Sequence, residues 1–337
     1  MLIKTVFKNS YIANIIWVVA IACLIIPVPG TAQVPKVKVA TLASPSTGAW
    51  IAAIMEARQI DIKNDVDVEW IEKPTLPSLY NDFAVGAYPI ATGGIMGYAN
   101  QYVRGVKAKL FAVNQIFGTS VIVNTERAPE IRSLKDLNGK EIAAPLAAEN
   151  YRAMTIYLLW SGVDLKSIKL KNFEAPAVAT ELRSPAGTAQ AGIVFLQVPT
   201  RLVMEDPKKF KDLVAADELE RLWKQKTGTE HHWLLGVVVS DEFSRSNPAL
   251  LQRVHSAMKE TIDWFNSNTE EAVKLVAEKT KDSIPVLKET IKAGRVKFLH
   301  TTAESQENAI MELLKFSVQF GYVTKLPDAS FFYRGLR

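Results

Sequence analysis

The chain has 337 residues, of which 48% are hydrophobic and 22% are charged, and it contains 17 Gly, 16 Pro and one Cys. This length suits two domains of ordinary size. The apolar content excludes a disordered chain, and the single cysteine excludes a disulfide framework. The formal charge of +5 is scattered, because Lys-rich stretches such as residues 208–211 and 224–226 have the pattern of solvated helix faces. We therefore predict no nucleic-acid partner.

The first 32 residues have the pattern of a secretory signal peptide. Lys4 and Lys8 form a positive start, and residues 15–26 form an apolar run shorter than the roughly 20 residues of a membrane span. Helix-breaking prolines and small residues follow, which predicts cleavage after Ala32 and export to the periplasm. An uncleaved membrane anchor is the alternative interpretation.

Cys23 lies inside this apolar run. Lipidation is one interpretation, but Ile21 and the apolar residues 24–26 fit a lipid-attachment motif poorly, so we interpret Cys23 as part of the signal peptide. Cleavage after Ala32 then leaves a chain without any thiol. The loss of two lysines lowers its formal charge from +5 to +3.

Strand and helix patterns alternate from residue 36 onward. Runs of apolar residues predict strands, and capping residues followed by apolar residues at helical spacing predict helices. The first predicted strands are residues 37–41, 66–71, 88–92 and 109–113, and the helices between them are residues 48–58, 77–85 and a segment that ends at Arg104. This alternation is typical of a mainly parallel sheet with helices on both faces.

A second series of strands and helices follows. Strands are predicted at residues 141–144, 167–173 and 191–196, with helices at residues 150–160 and 178–183. Extended segments at residues 120–124 and 234–240 are predicted to connect the two series, and only helices are predicted after residue 240.

The predicted fold is therefore α/β with two lobes, each a mainly parallel sheet flanked by helices, joined by two crossover strands. The first lobe comprises residues 33–121 and 236–337, and the second comprises residues 122–235. A ligand is expected where the carboxyl ends of strands from the two lobes face each other.

Five segments, in their order and spacing, resemble one family of transport proteins. They are residues 38–48, 90–94, 131–143, 191–202 and 247–268. The third reads IRSLKDLNGKEIA and is similar to the family's slkDLkGKkia stretch. After residue 32, the chain thus resembles the solute-binding proteins of nitrate-, sulfonate- and taurine-type ABC importers, which have the type II periplasmic binding fold.

The resemblance implies a monomer that captures a small molecule between its lobes by hinge closure and delivers it to the permease of a membrane ABC transporter. It implies no cofactor, no metal and no catalytic residue. Two alternatives stay open: an enzyme similar to the pyrimidine-precursor synthases of thiamine biosynthesis, and an exported module that presents a ligand to a membrane receptor. Those synthases carry a Cys-rich iron-binding segment, whereas this chain has no cysteine after Cys23.

The chain departs from the family pattern in three places. Pro89 replaces a common acidic residue, residues 195–197 are Phe-Leu-Gln instead of Trp-Glu-Pro, and residues 145–150 replace a turn rich in Ser and Thr. Hydroxyls that would hold a sulfonate or nitrate are therefore missing on one side.

The turn between the first predicted strand and its helix is a candidate ligand site. Ser44, Ser46, Thr47 and Gly48 lie there, and free N–H groups at a helix start favour an anionic group. The same residues also suit a simple helix cap. Trp50 follows, either to stack on a flat ligand or to pack in the core.

Two further candidate groups follow the next strands of the first lobe. Thr92, Gly93 and Gly94 lie between a strand and a helix, where glycines allow a ligand to approach backbone N–H groups. Asn114 and Gln115 follow another strand, and their amides suit hydrogen bonds to a ligand or to solvent.

In the second lobe, Asn150, Tyr151 and Arg152 begin a helix. Arg152 would pair with a carboxylate or sulfonate, or else lie exposed and pair with Glu149. Phe195 and Gln197 lie at the end of a strand, where the resemblance implies ligand contacts. The predicted ligand is therefore a small organic anion, a sulfonate or carboxylate, with or without an aromatic part.

The histidines do not predict a metal site. His231 and His232 are consecutive, so on an extended segment their side chains point to opposite faces. His255 and His300 have no partner motif, and no nucleophile elbow, phosphate loop or zinc-protease motif is present in the sequence. We therefore predict neither metal binding nor catalysis.

Overall fold

A computed structural model describes residues 34–336, and the predicted signal peptide with Cys23 lies outside this range. None of the helices within it combines the length and hydropathy that a membrane crossing requires. The described strands, in chain order, are β1 Lys36–Leu42, β2 Asp67–Lys73, β3 Ile90–Gly94, β4 Ala108–Ile116, β5 Ser120–Asn124, β6 Glu141–Ala144, β7 Lys169–Asn172, β8 Ala191–Val194, β9 Phe210–Asp212, β10 Trp233–Ser240 and β11 Lys297–Thr302.

The described α-helices alternate with these strands in the first part of the chain and dominate its end. They are α1 Thr47–Arg58, α2 Ile60–Lys63, α3 Leu76–Ala84, α4 Ile95–Val103, α5 Glu149–Trp160, α6 Ala175–Arg183, α7 Gln197–Glu205, α8 Ala216–Thr227, α9 Asp241–Ser246, α10 Pro248–Ser267, α11 Thr269–Thr280, α12 Ile284–Lys292 and α13 Glu307–Gln319.

The strands form two mixed sheets, each of which is the centre of one lobe. The first has the order β11-β4-β10-β3-β1-β2, and the second has the order β7-β6-β8-β5-β9. Parallel pairs join β1 to β2 and β3, and β6 to β7 and β8. The antiparallel pairs involve β10, β11 and β5. The predicted α/β fold with two lobes is confirmed. The sheets are mixed rather than mainly parallel as predicted, because β10, β11 and β5 run antiparallel to the strands beside them.

The core covers both faces of each sheet. One cluster of buried side chains continues from β3, β4 and α4 of the first lobe to β5, β6 and α5 of the second. A second cluster lies between the first sheet and α1, α10 and α11, and a third lies between the second sheet and α6. Because both faces are covered, a central strand such as β10 is apolar almost throughout.

The chain passes between the sheets at residues 117–119 and 228–232, close to the predicted lobe boundaries. The two crossing segments contact each other, because the Phe117 N–H donates to the His232 carbonyl at 2.9 Å. The ring centroids of Phe117 and His232 are 4.7 Å apart, and those of His232 and Trp223 are 4.1 Å apart. The lobe boundaries themselves stay a prediction.

The prediction that only helices follow residue 240 was wrong. β11 pairs antiparallel with β4, with Lys297 opposite Ile116. Its sequence KFLHTT buries only Phe298 and His300, so its alternation is too short to stand out. Pairing with β4 and packing against α10 decide that this segment is a strand.

Candidate functional site

A cavity lies between the two lobes, at the carboxyl ends of β1, β3 and β4. Its unfilled volume is about 640 Å³, open solvent at its mouth included. The beginnings of α1 and α5, the helix α3, the start of β10 and the residues before α7 complete its walls. The predicted ligand residues that line it are Ser46, Thr47, Gly48, Thr92, Gly93, Gly94, Gln115, Asn150 and Phe195.

Buried hydroxyls and an amide form the polar wall of the first lobe. Thr47 Oγ1 donates to Gln115 Oε1, and Thr92 Oγ1 donates to Thr41 Oγ1 at 3.0 Å. Gly48 is required here by close approach, because a Cβ at this position would lie 1.8 Å from Thr41 Oγ1. The side-chain hydrogen bonds hold this wall in place before any solute arrives.

Ser46 is the N-cap of α1. Its backbone is extended, with φ −148°, and its Oγ accepts the Ala49 N–H at 3.2 Å while donating to the Leu42 carbonyl. Thr47 and Gly48, the first residues of α1, line the cavity, and their N–H groups have no acceptor within the helix.

Replacing Ser46 with alanine should lower the free energy of unfolding by about 1 kcal/mol, because a helix N–H loses its acceptor. Urea unfolding followed by tryptophan fluorescence measures this change. Ser44→Ala is the matched control, since Ser44 is exposed and lies two residues earlier in the same turn. Equal stability of the two variants would contradict the capping role.

Glu149 connects the two lobes at the beginning of α4. Its Oε1 accepts the Met96 N–H at 2.5 Å, although it belongs to α5 in the second lobe. The residue is only 6% exposed. A Cβ at Gly94 would lie 2.4 Å from Glu149 Oε2, so the absence of a side chain at Gly94 makes room for the carboxylate.

Burial controls the ionisation of this carboxyl group. It raises the pKa of Glu149 to about 7, although hydrogen bonds from the Met96 and Gly97 backbone and the charge of Arg152 act in the opposite direction. Burial, and then the Glu149 charge, raise the pKa of the Tyr80 hydroxyl beside it. The Glu149 carboxyl therefore changes its charge near neutral pH.

Glu149 is a polar site residue that sequence reasoning missed, as are Thr41 and Tyr80. In the sequence it was only a partner for Arg152, three residues away on the same helix. The available signal was an acidic residue at a helix start in the turn that departs from the family pattern. Its partner Met96 is 53 residues away, so no local pattern indicated the contact.

Three of the predicted ligand residues in the first lobe lie outside the cavity lining. Trp50 is fully buried and packs edge-on against Phe298, with ring centroids 6.4 Å apart. It lies in the core because α1 is covered by α10 and α11. Asn114 is buried within β4, and Ser44 is exposed to solvent.

Three predicted residues of the second lobe also lie outside the lining. The Arg152 guanidinium is 5.3 Å from the centre of the Tyr322 ring, and Tyr151 is buried in the core. Gln197 Nε2 donates to Asp282 at 3.0 Å, which connects α7 to the first lobe. These three side chains contact other groups of the protein and do not line the cavity.

The rest of the lining is mainly apolar. Phe195 and several leucines face the cavity, and Leu196 beside it has the unusual backbone angle φ 56°. Asn150 contributes an amide whose Nδ2 donates to Thr119 Oγ1 at 3.0 Å. Among the described residues, those that line the cavity include Glu149 but no lysine, arginine or histidine.

No protein-family model matches the chain, and no curated protein matches it by sequence. The comparison of structures does find matches. The periplasmic aliphatic sulphonate-binding protein SsuA from Escherichia coli superposes with a TM-score of 0.72 at 14% identity, over 90% of this chain and 93% of that protein. The chain has the type II periplasmic binding-protein fold.

Two further solved structures of binding proteins also match the chain. The alkanesulfonate-binding protein SsuA from Xanthomonas axonopodis pv. citri, bound to MOPS, matches with a TM-score of 0.67 at 13% identity, over 88% of this chain and 96% of that protein. The periplasmic nitrate-binding protein NrtA from Synechocystis PCC 6803 matches with a TM-score of 0.66 at 13% identity, over 88% and 84%. All three are binding proteins.

The histidines of this binding-protein fold lie apart from the cavity. The His232 ring stacks between Phe117 and Trp223, and the buried His255 and His300 contact each other, with Nδ1 and Nε2 2.9 Å apart. Within residues 34–336, no three side chains of His, Cys, Asp or Glu are grouped to hold a metal ion.

Proposed function

We propose that the protein is the exported solute-binding component of an ABC importer. It captures a small organic molecule in the cavity between its lobes and delivers it to a membrane permease. The observation that supports this proposal is a cavity whose walls come from both lobes at the carboxyl ends of strands. The binding-protein fold of the similar structures supports the same function and no catalytic step.

The proposed mechanism is closure of the lobes around the solute. Contacts from both walls stabilise a closed state, and rotation occurs at the two crossing segments. Hydrogen bonds from both walls to a charged group of the solute, at roughly 1.5–3 kcal/mol each, supply the differential binding that favours the closed state.

The proposed solute carries an anionic group, a sulfonate or a carboxylate, on a small organic body. The N-terminal turns of α1 and α4 supply backbone N–H groups for the anion. Phe195 and the leucines of the lining suit the apolar part of the solute. Of Trp50, Tyr151 and Phe195, the residues from which an aromatic part of the solute is predicted, Phe195 lines the cavity, and Tyr80 also lies in the lining.

Mass spectrometry of the purified protein under native conditions tests the function. We expect a retained small molecule, and isothermal titration calorimetry with a panel of sulfonates and carboxylates should then identify binders. Neutral heterocycles of similar size are the control panel. Binding of the heterocycles alone would contradict the anionic class, and a protein that retains and binds none of these molecules would contradict the function.

A further inference from the structure

A carboxylate of the protein itself lies where an anionic solute would bind. The Glu149 carboxylate of the second lobe accepts a backbone N–H at the start of α4 in the first lobe, at 2.5 Å from Met96 N. Backbone N–H groups at a helix start are suited to anions, and here Glu149 already accepts those of Met96 and Gly97. Because Glu149 is 6% exposed, water does not screen the contact.

The surroundings are shaped for this carboxylate. Gly94 precedes α4, and a Cβ there would lie 2.4 Å from Glu149 Oε2 and 2.5 Å from its Cδ. Tyr80, which also lines the cavity, lies at the same helix start, where a Cβ at Gly97 would be 2.4 Å from its hydroxyl. A side chain at either glycine would therefore displace its neighbour.

No basic side chain competes for the carboxylate within the cavity lining of the described residues. Arg152 lies on the same helix as Glu149, but its guanidinium is over the Tyr322 ring at 5.3 Å. The backbone N–H groups of α4 are therefore the hydrogen-bond donors that Glu149 shares with any anion entering the cavity, and Arg152 acts on the carboxylate through its charge alone.

We propose that Glu149 is an internal competitor of the solute. Without solute, its carboxylate occupies the anion position at the start of α4 and ties the two lobes together. An anionic solute displaces the carboxylate and takes over the same N–H groups. This inference rests on the proposed function, because it concerns the same cavity.

The expected change in anion affinity follows from the state in which the contact between Glu149 and Met96 exists. Glu149 stabilises only the protein without solute, so removing its carboxylate raises the affinity for anions. A competitor that occupies a site 99% of the time weakens the apparent affinity about 100-fold. We expect a gain of about tenfold or more when the competitor is removed.

The test compares wild type with Glu149→Ala and Glu149→Gln. Calorimetry with propanesulfonate and its neutral analogue propanesulfonamide distinguishes the effect of the solute's charge on affinity from the effect of its shape. The sulfonate should bind about tenfold more tightly to Glu149→Ala and gain less with Glu149→Gln, since an amide oxygen still accepts the Met96 N–H. The affinity for the sulfonamide should change much less.

Glu174→Gln is the matched control, because Glu174 is exposed at the start of α6 in the second lobe. It removes the same charge away from the cavity and should leave both affinities unchanged. Small-angle X-ray scattering without solute gives a second readout. The radius of gyration should increase in Glu149→Ala, but not in Glu174→Gln, because only the former loses a contact between the lobes.

Unchanged or weaker sulfonate binding in folded Glu149→Ala would overturn the proposal, as would an unchanged radius of gyration. Glu149→Gln provides the same comparison if the alanine variant does not fold. If neither wild type nor the Glu149 variants bind sulfonate, the competitor role fails. A solute retained by wild type would in that case leave the proposed function intact.

Discussion

Replacing Arg295 with methionine should lower the free energy of unfolding by about 3–5 kcal/mol, because a buried aspartate loses its charged partner. Arg295 follows α12 in the first lobe, and its guanidinium donates to Asp212 at 3.0 Å. It also donates to Thr200 at 2.9 Å and to Ser120 at 3.2 Å, and the three partners lie in β9, α7 and β5, of which the two strands belong to the second sheet. The ion-paired side chains are only 12% and 18% exposed.

The loss should depend on pH. Burial already raises the pKa of Asp212, although Ser120 and Arg295 act to lower it. Without Arg295, the charged form becomes still less favourable, so the carboxyl takes up a proton more readily. The stability difference between wild type and Arg295→Met should therefore be smaller at pH 5 than at pH 8, as measured by urea unfolding.

Lys297→Met is the control for this variant. Lys297 Nζ is 2.8 Å from Glu220, but the two side chains are 48% and 22% exposed. An exposed pair contributes about 0–1 kcal/mol, since water and salt screen it. Equal losses of stability for Arg295→Met and Lys297→Met would show that the Arg295 pair is not a buried ion pair between the lobes.

The double variant Arg295→Met/Asp212→Asn should recover part of the stability lost in Arg295→Met, because it no longer buries an unpaired carboxylate.

Replacing His232 with glutamine should reduce the loss of stability between pH 7 and pH 4.5 by about 2–3 kcal/mol. Burial lowers the pKa of His232 to about 3, from the usual 6.5. The unfolded chain therefore binds a proton at this residue as the pH falls below 6.5, whereas the folded protein does not. Stability is lost in that window, and removing the imidazole removes this contribution.

The surroundings of His232 explain why it stays neutral. Its ring stacks on Trp223 at 4.1 Å and on Phe117 at 4.7 Å, and its Nδ1 is 2.7 Å from the Tyr157 hydroxyl. No water reaches the ring, because the residue is 1% exposed. A charged imidazole would lose its hydration without gaining a carboxylate partner.

The measurement is the free energy of unfolding in urea at both pH values. His231→Gln is the control, because His231 is the adjacent residue and is only half-buried. It should change the pH dependence less than His232→Gln does. Curves for wild type and His232→Gln that stay parallel from pH 7 to pH 4.5 would contradict a buried neutral histidine.

Variants must be compared because other groups titrate in the same range. Burial lowers the pKa of His255 to about 4, which adds to the acid loss. The contribution of Glu149 to the pH dependence of stability has the opposite sign, because its pKa is raised from 4.5 to about 7. Its contribution to stability is present below pH 4.5 and is lost as the pH rises to 7. The wild-type curve alone therefore does not isolate one residue.

Local patterns predicted many elements well. The helix expected at residues 48–58 is α1, Thr47–Arg58, and the strand expected at residues 141–144 is β6. A cap and an apolar spacing lie within a few residues of each other, so short-range interactions specify such elements. β11 was missed because its strand structure depends on pairing with β4, about 180 residues earlier.

The part of the candidate site that lies at the ends of parallel strands was predictable from the order of strands and helices in the sequence. Polar residues after β1 and β3, such as Thr47 and Thr92, line the cavity because parallel strands end at the same edge of a sheet. Trp50 was ambiguous, since a helical aromatic residue faces either a cleft or a core. The helices that cover α1 decide this, and they come from residues 248–280.

Capping, glycine position and apolar spacing act over short distances, so they predict the two-lobed α/β architecture and the capped start of α1 from the amino-acid sequence alone. Only the tertiary structure placed the Glu149 carboxylate on the Met96 N–H and Arg295 against Asp212. These contacts cross between lobes whose elements are far apart in the chain, so they arise from packing and from the cost of burying charge. Among the described residues of this 337-residue chain, the cavity lining thus contains one acidic side chain, Glu149, and no basic side chain.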